Sequence, residues 1–122
     1  MERIIEKPWG KEVIIYATDK FVMKELHVKK GHKLSVQYHI YKEEAMYLIK
    51  GKVNISLSTP TAWSMNDDRF NTNPIEINER EHIYIQKGWI HRVEALEDSI
   101  ILECSTPELW DIERIEDDYN RA

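Results

Sequence analysis

The chain has 122 residues and a formal net charge of −5, with 17 basic and 22 acidic side chains interspersed along it. That length suits one domain, residues 1–122, with a core large enough to need no staples. The mixed charge excludes an extended footprint for nucleic acid or an anionic membrane, so neither is an expected partner. The single cysteine, Cys104, has no partner for an internal disulfide, and no run is apolar enough for a signal peptide or a membrane span. A cytoplasmic location is expected.

In chain order, short runs rich in β-branched and aromatic residues recur at close spacing: EVIIY, FVMKELHV, LSVQYHI, AMYLI, KVNISLS, HIYIQ, IHRVEAL and SIILEC. Charged, glycine- or aspartate-containing turns separate most of them, a rhythm that predicts an all-β barrel or two-sheet roll. The segment TAWSMNDDRFNTNP breaks the alternation with turn formers and reads as a loop, its Trp63 and Phe70 forming a packed lid or a subunit contact. The tail STPELWDIERIEDDYNRA opens with Thr106 at a helix-cap position and Pro107 in the first turn, followed by acidic residues. Those signals predict a short C-terminal helix that packs Leu109 and Ile112 against the barrel.

Chemistry enters with LSVQYHIYKEEAMYLIKG, residues 34–51. In an extended chain Leu34, Val36, Tyr38 and Ile40 share one face, while Ser35, Gln37 and His39 share the other. Glu43 and Glu44 follow, and YIQKGWIHRVEA supplies His91 after a turn at Gly88. Gln37, His39, one glutamate and His91 form a mixed nitrogen and oxygen set that suits zinc, manganese, iron or nickel better than calcium. His27, His32 and His82 lie beside charged residues and are expected in solvent. Lys24 shares a strand face with Val22, Leu26 and Val28, a costly place for an ammonium group without an anionic partner. Trp9, Trp63, Trp89 and Trp110 read as core or interface fillers, although one near a barrel mouth could stack on a sugar.

The segments KPWG at 7–10, VMKELHVKKGHKLSVQYHIYKEEAMYLIKG, YIQKGWIHRVEA and DIERIEDDYNR together resemble the type II mannose-6-phosphate isomerase branch of the cupin superfamily, over nearly the whole chain. Departures from that pattern are Gln86 and Lys87 where a proline is usual, Asn120 where the C-terminal signature has glycine, and a shorter loop between Cys104 and Asp111. The resemblance implies a cupin jelly-roll barrel. It selects Gln37, His39, Glu44 and His91 as metal ligands, with zinc the first choice. It also implies catalytic roles for Lys24, Glu44 and Arg121, and substrate contacts from Lys24, Tyr119 and Arg121, the last on a sugar phosphate.

The implied activity is aldose–ketose isomerisation of a phosphorylated sugar through an enediolate, within carbohydrate metabolism or polysaccharide biosynthesis. Many relatives carry a sugar-nucleotide transferase domain before the cupin; these residues hold none, and no nucleotidyl transfer is expected from them. Alternatives are another cupin enzyme acting on activated sugars, such as an epimerase, an iron oxygenase, and a non-catalytic carbohydrate-binding cupin. Exposed strand edges in a jelly roll predict a homodimer.

Overall fold

The computed structural model describes residues 3–122. Its strands are β1 (Arg3–Lys7), β2 (Gly10–Ala17), β3 (Val22–Val28), β4 (Val36–Tyr38), β5 (Glu44–Lys50), β6 (Lys52–Ser58), β7 (Ile75–Asn78), β8 (His82–Ile85), β9 (Ile90–Ala95), β10 (Ser99–Ser105) and β11 (Glu113–Glu116). They form two sheets, in the orders β1-β2-β3-β10-β5-β8 and β11-β4-β9-β6-β7. Every pairing is antiparallel. This is the all-β two-sheet roll that the strand rhythm predicts.

Period-two alternation fixes which side chains enter the roll, and along several strands the inward face changes character from one end to the other. On β3 the buried residues run Val28, Leu26, Lys24 and then Val22; on β5, Leu48, Met46, Glu44; on β9's inward face, Ala95, Val93, His91; on β10, Ile101 then Glu103. The register aligns these changes. Ile101 lies opposite both Leu26 and Leu48, while Glu103 lies opposite Lys24 and Ser105 opposite Glu44. One end of the roll is therefore a close-packed apolar core around Trp9, Leu26, Leu48, Val53, Ile55 and Ile101. The other end is polar. The core layer is the floor on which the polar groups stand, so their geometry is set by strand packing.

Two expectations need correction. The segment read as a loop contains two short helices, α1 (Pro60–Ser64) and α2 (Arg69–Thr72). The Thr59 hydroxyl accepts the Ala62 N–H, with Pro60 in the first turn. Phe70 and Trp63 pack edge to face and seal Val36 and Ile90 on the outside of the smaller sheet. Conversely, no helix follows Pro107. The Thr106 hydroxyl is taken by the backbone N–H of Glu43, so it is not free to cap, and the chain makes tight turns before entering β11. Leu109 is 42% exposed instead of packed, although Ile112 is half-buried. Asn120 adopts φ 61°, the left-handed conformation that asparagine tolerates and glycine takes freely, so its replacement of the usual glycine keeps the turn.

Gly10 starts β2 against the backbone of β3. Its φ is 152°, and a Cβ there would lie 1.8 Å from the His27 carbonyl oxygen. Because that contact is with backbone, it has no side-chain rotamer to relieve it. Gly10→Ala is expected to cost roughly 3 kcal/mol and lower the melting temperature by about ten degrees or more, measured by circular dichroism. A change of a degree or less would show that β2 and β3 separate easily.

Candidate functional site

The ring of His91 is fully buried at the polar end of the roll, and His39 and Glu44 are nearly so. Each imidazole has its Nδ1 against a backbone carbonyl: His39 on Asp111 at 2.6 Å, His91 on Trp89 at 3.0 Å. A carbonyl oxygen only accepts, so Nδ1 carries the hydrogen on both rings and Nε2 of the neutral ring is a lone pair. Both Nε2 atoms lie close to one carboxylate oxygen. Glu44 Oε1 lies 3.0 Å from His91 Nε2 and 3.5 Å from His39 Nε2.

Three acceptors facing one another in a buried site repel unless a positive charge lies among them. His39 Nε2, His91 Nε2 and both Glu44 oxygens have no hydrogen-bond partner. One ligand atom from each residue falls within a 4.8 Å cluster. Donors about 2.0–2.2 Å from a common ion sit roughly 3–3.5 Å apart, which matches these separations. The donor set fits a divalent transition metal, and the two carbonyls supply the outer contacts that orient ligating histidines.

Two loops hold this arrangement. Asp111 supports His39 with its carbonyl, while its carboxylate accepts the backbone N–H groups of Ile40, Tyr41 and Lys42. Burial favours the neutral acid, yet those three N–H groups outweigh it and hold the Asp111 carboxyl below its usual range. From the other side, the Gly88 N–H donates to the His39 carbonyl at 2.7 Å, and Gly88 needs φ 79° to do so. The tail therefore acts on the cluster through Asp111.

Beside the cluster runs a line of buried charges. Lys24 Nζ lies 3.0 Å from Glu12 and 3.2 Å from Glu103; Lys42 Nζ lies 3.4 Å from Glu44 and 3.7 Å from Glu103. These two ammonium groups bridge Glu12, Glu103 and Glu44 in turn, with Lys7 Nζ a further neighbour of Glu12 at 3.9 Å. Burial, then the Glu44 charge, pushes Glu103 up. His91 is raised although burial alone would lower it, because the neighbouring Glu44 carboxylate outweighs desolvation.

These groups line one cavity of about 400 Å³. Gln37 lines it too, from a position paired with His91 across β4 and β9, and its Oε1 accepts the Ser35 hydroxyl at 3.2 Å. Lys24 is buried, and the anionic partners its position demands are Glu12 and Glu103 of this chain. Arg121 reaches the cavity, but Asp117 engages its guanidinium at 2.7 and 2.9 Å. Tyr119 is not a lining residue; it stacks on His32, with its hydroxyl 2.6 Å from His32 Nδ1. Of the three histidines expected in solvent, His82 alone is exposed; His27 and His32 are half-buried, His27 beside Glu25.

Sequence reasoning missed Lys42, Glu103, Asp111 and Arg114, all cavity-lining. Glu103 had a usable signal. It alternates with Ile101 on an inward strand face, the same anomaly that singled out Lys24.

Residues 1–117 match the family described as Mannose-6-phosphate isomerase C-terminal. The chain belongs to that family. Among curated relatives, mannose-1-phosphate guanylyltransferase ManC of Salmonella typhimurium is 29% identical over 127 residues, covering all of this chain and 24% of that protein. The mannose-1-phosphate guanylyltransferase of Escherichia coli K12 is 30% identical over 94 residues, 77% of this chain and 17% of that protein. The chain thus spans about a quarter or less of these relatives' length.

Solved structures establish the fold as cupin. An RmlC-like cupin from Shewanella frigidimarina superposes with TM-score 0.71 at 11% identity, covering 89% of this chain and 86% of that one. Capsular polysaccharide assembling protein CapF of Staphylococcus aureus gives 0.70 at 20% identity, over 95% of this chain and 34% of that one. Among the described residues no helix is long and apolar enough to cross a membrane.

The Lys24 ion pairs carry a testable consequence. Lys24→Met leaves Glu103 and Glu12 with less compensation, and breaking a buried pair from one side costs about 3 kcal/mol. Denaturant unfolding at pH 7 should show that loss, and adding Glu103→Gln should recover most of it. Glu103 has a raised carboxyl, so its penalty grows as pH rises above the unfolded value and fades toward pH 5; the deficit should shrink there. Unchanged or higher stability for the single variant would contradict the pairing.

Proposed function

We propose that this domain is a metal-dependent aldose–ketose isomerase acting on a phosphorylated sugar. The observation that carries the reading is the convergence of His39 Nε2, His91 Nε2 and Glu44 Oε1 on one buried point of a cavity also lined by acid–base groups and cationic side chains. His39, Glu44 and His91 are the ligands, with Gln37 the fourth member of the set; zinc suffices, and manganese, iron or nickel suit the same donors. When bound, the ion supplies an electrophile that polarises the sugar carbonyl and stabilises negative charge developing on its oxygen, with no change of oxidation state.

The remaining work belongs to the protein's side chains. Isomerisation takes one proton from the hydroxyl-bearing carbon and returns it to the former carbonyl carbon, while a second proton passes between the two oxygens; atoms and charge balance. Glu103 lines the cavity between the ammonium groups of Lys24 and Lys42, where a carboxylate can accept the carbon-bound proton and a neighbouring ammonium can steady the anion that forms. Lys24, held by two carboxylates, positions Glu103. The buried floor of Leu26, Ile101 and Leu48 excludes water from beneath the reacting carbons.

Elemental analysis and turnover test this together. Zinc-loaded protein is expected to carry one ion per chain, and to interconvert at least one member of a panel of hexose and pentose phosphates. In deuterated water that conversion should place deuterium on the reacting carbon. His39→Ala and His91→Ala should each lower ion occupancy sharply. Stoichiometric metal in both variants would contradict the ligand assignment. Fully loaded protein that neither interconverts nor exchanges any sugar phosphate would overturn the isomerase reading.

A further inference from the structure

The cavity has six cationic side chains on its wall: Arg3, Lys7, Lys24, Lys42, Arg114 and Arg121. Four have carboxylate neighbours. Lys24 and Lys42 are bound to Glu12, Glu44 and Glu103, Lys7 lies 3.9 Å from Glu12, and Arg121 is held by both oxygens of Asp117. Among the described residues, Arg3 and Arg114 have no carboxylate within salt-bridge distance, and Arg114 Nε is buried without any hydrogen-bond partner. A half-buried guanidinium with an unsatisfied Nε is a costly thing to leave inside a protein.

The register shows what it faces. Arg114 on β11 lies directly opposite Gln37 on β4, and Gln37 lies directly opposite His91 on β9. Cross-strand partners share a face, so Arg114, Gln37 and His91 form one row, of which Arg114 and Gln37 line the cavity. Two strand spacings put the Arg114 backbone about 10 Å from that of His91. Arg3 enters the same cavity from β1, which with β11 makes the two edge strands of the roll on the open side.

From these observations we infer that Arg114, assisted by Arg3, is the anchor for the phosphoryl group of the substrate, and that Arg121 is not. The inference rests on the proposed sugar-phosphate chemistry and narrows it. A planar fork with free donors matches phosphate oxygens, whereas the Nε and Nη2 side of the Arg121 fork is already taken by Asp117, which also offsets its charge.

Equilibrium binding to zinc-loaded protein tests this without requiring turnover, by isothermal titration with inorganic phosphate, a hexose 6-phosphate and the same hexose unphosphorylated. Arg114→Gln is expected to weaken both phosphate-bearing ligands at least tenfold and leave the unphosphorylated hexose unchanged. Arg114→Lys, which keeps the charge but loses the fork, should lie between Arg114→Gln and wild type, and reads the same effect if the glutamine variant folds poorly. Arg121→Gln should stay within about threefold of wild type. Equal losses for phosphorylated and unphosphorylated hexose, a larger loss from Arg121→Gln than from Arg114→Gln, or no phosphate binding by wild type would each overturn the inference. Because binding is read separately, a protein that binds phosphate through Arg114 yet turns nothing over would refute the isomerase reading alone.

Discussion

Two imidazole nitrogens and a carboxylate oxygen crowd together inside the protein, and this repulsion organises the polar end of the fold. Carbonyls of Asp111 and Trp89 lock the hydrogens on the far side of both rings, so neither ring can relieve the clash by changing tautomer without losing a hydrogen bond. A positive charge has to be supplied. Protonation of His91 does so in part, and its raised titration shows the pull of Glu44. A divalent cation does so more fully.

The roll makes such a concentration of charge tolerable by separating it from the core along the strands. Each inward face passes from aliphatic to ionisable within two to four residues, and the register brings the changes to the same level. The apolar layer contributes the stability that marginal polar burial withdraws. Lys24 and Glu103, adjacent across β3 and β10, are each the main reason the other can be buried.

Much of this was legible in the sequence. Alternation gave most of the strands and the inward-facing Lys24, and the motif resemblance selected Gln37, His39, Glu44 and His91, of which His39, Glu44 and His91 cluster and Gln37 lines the adjoining cavity. What escaped depended on contacts between distant segments. Thr59-Pro60 and Thr106-Pro107 are the same dipeptide, yet only the first begins a helix, because the Thr106 hydroxyl serves the Glu43 N–H. Asp111 looked like part of an acidic helical turn, while its real partners are three N–H groups some 70 positions earlier. Arg121 and Arg114 are equally plausible anion ligands as letters. Only the Asp117 fork on one and the orphaned Nε of the other separate them. β1, β7 and β11 were not among the anticipated runs, since their charged residues blur the apolar alternation.

The most direct test of the central claim is anomalous diffraction at the zinc edge from crystals of the zinc-loaded protein. The expected result is one strong peak per chain, about 2.0–2.2 Å from His39 Nε2, His91 Nε2 and a Glu44 oxygen. A peak elsewhere, or no peak with Glu44 hydrogen-bonded to a protonated His91, would contradict it.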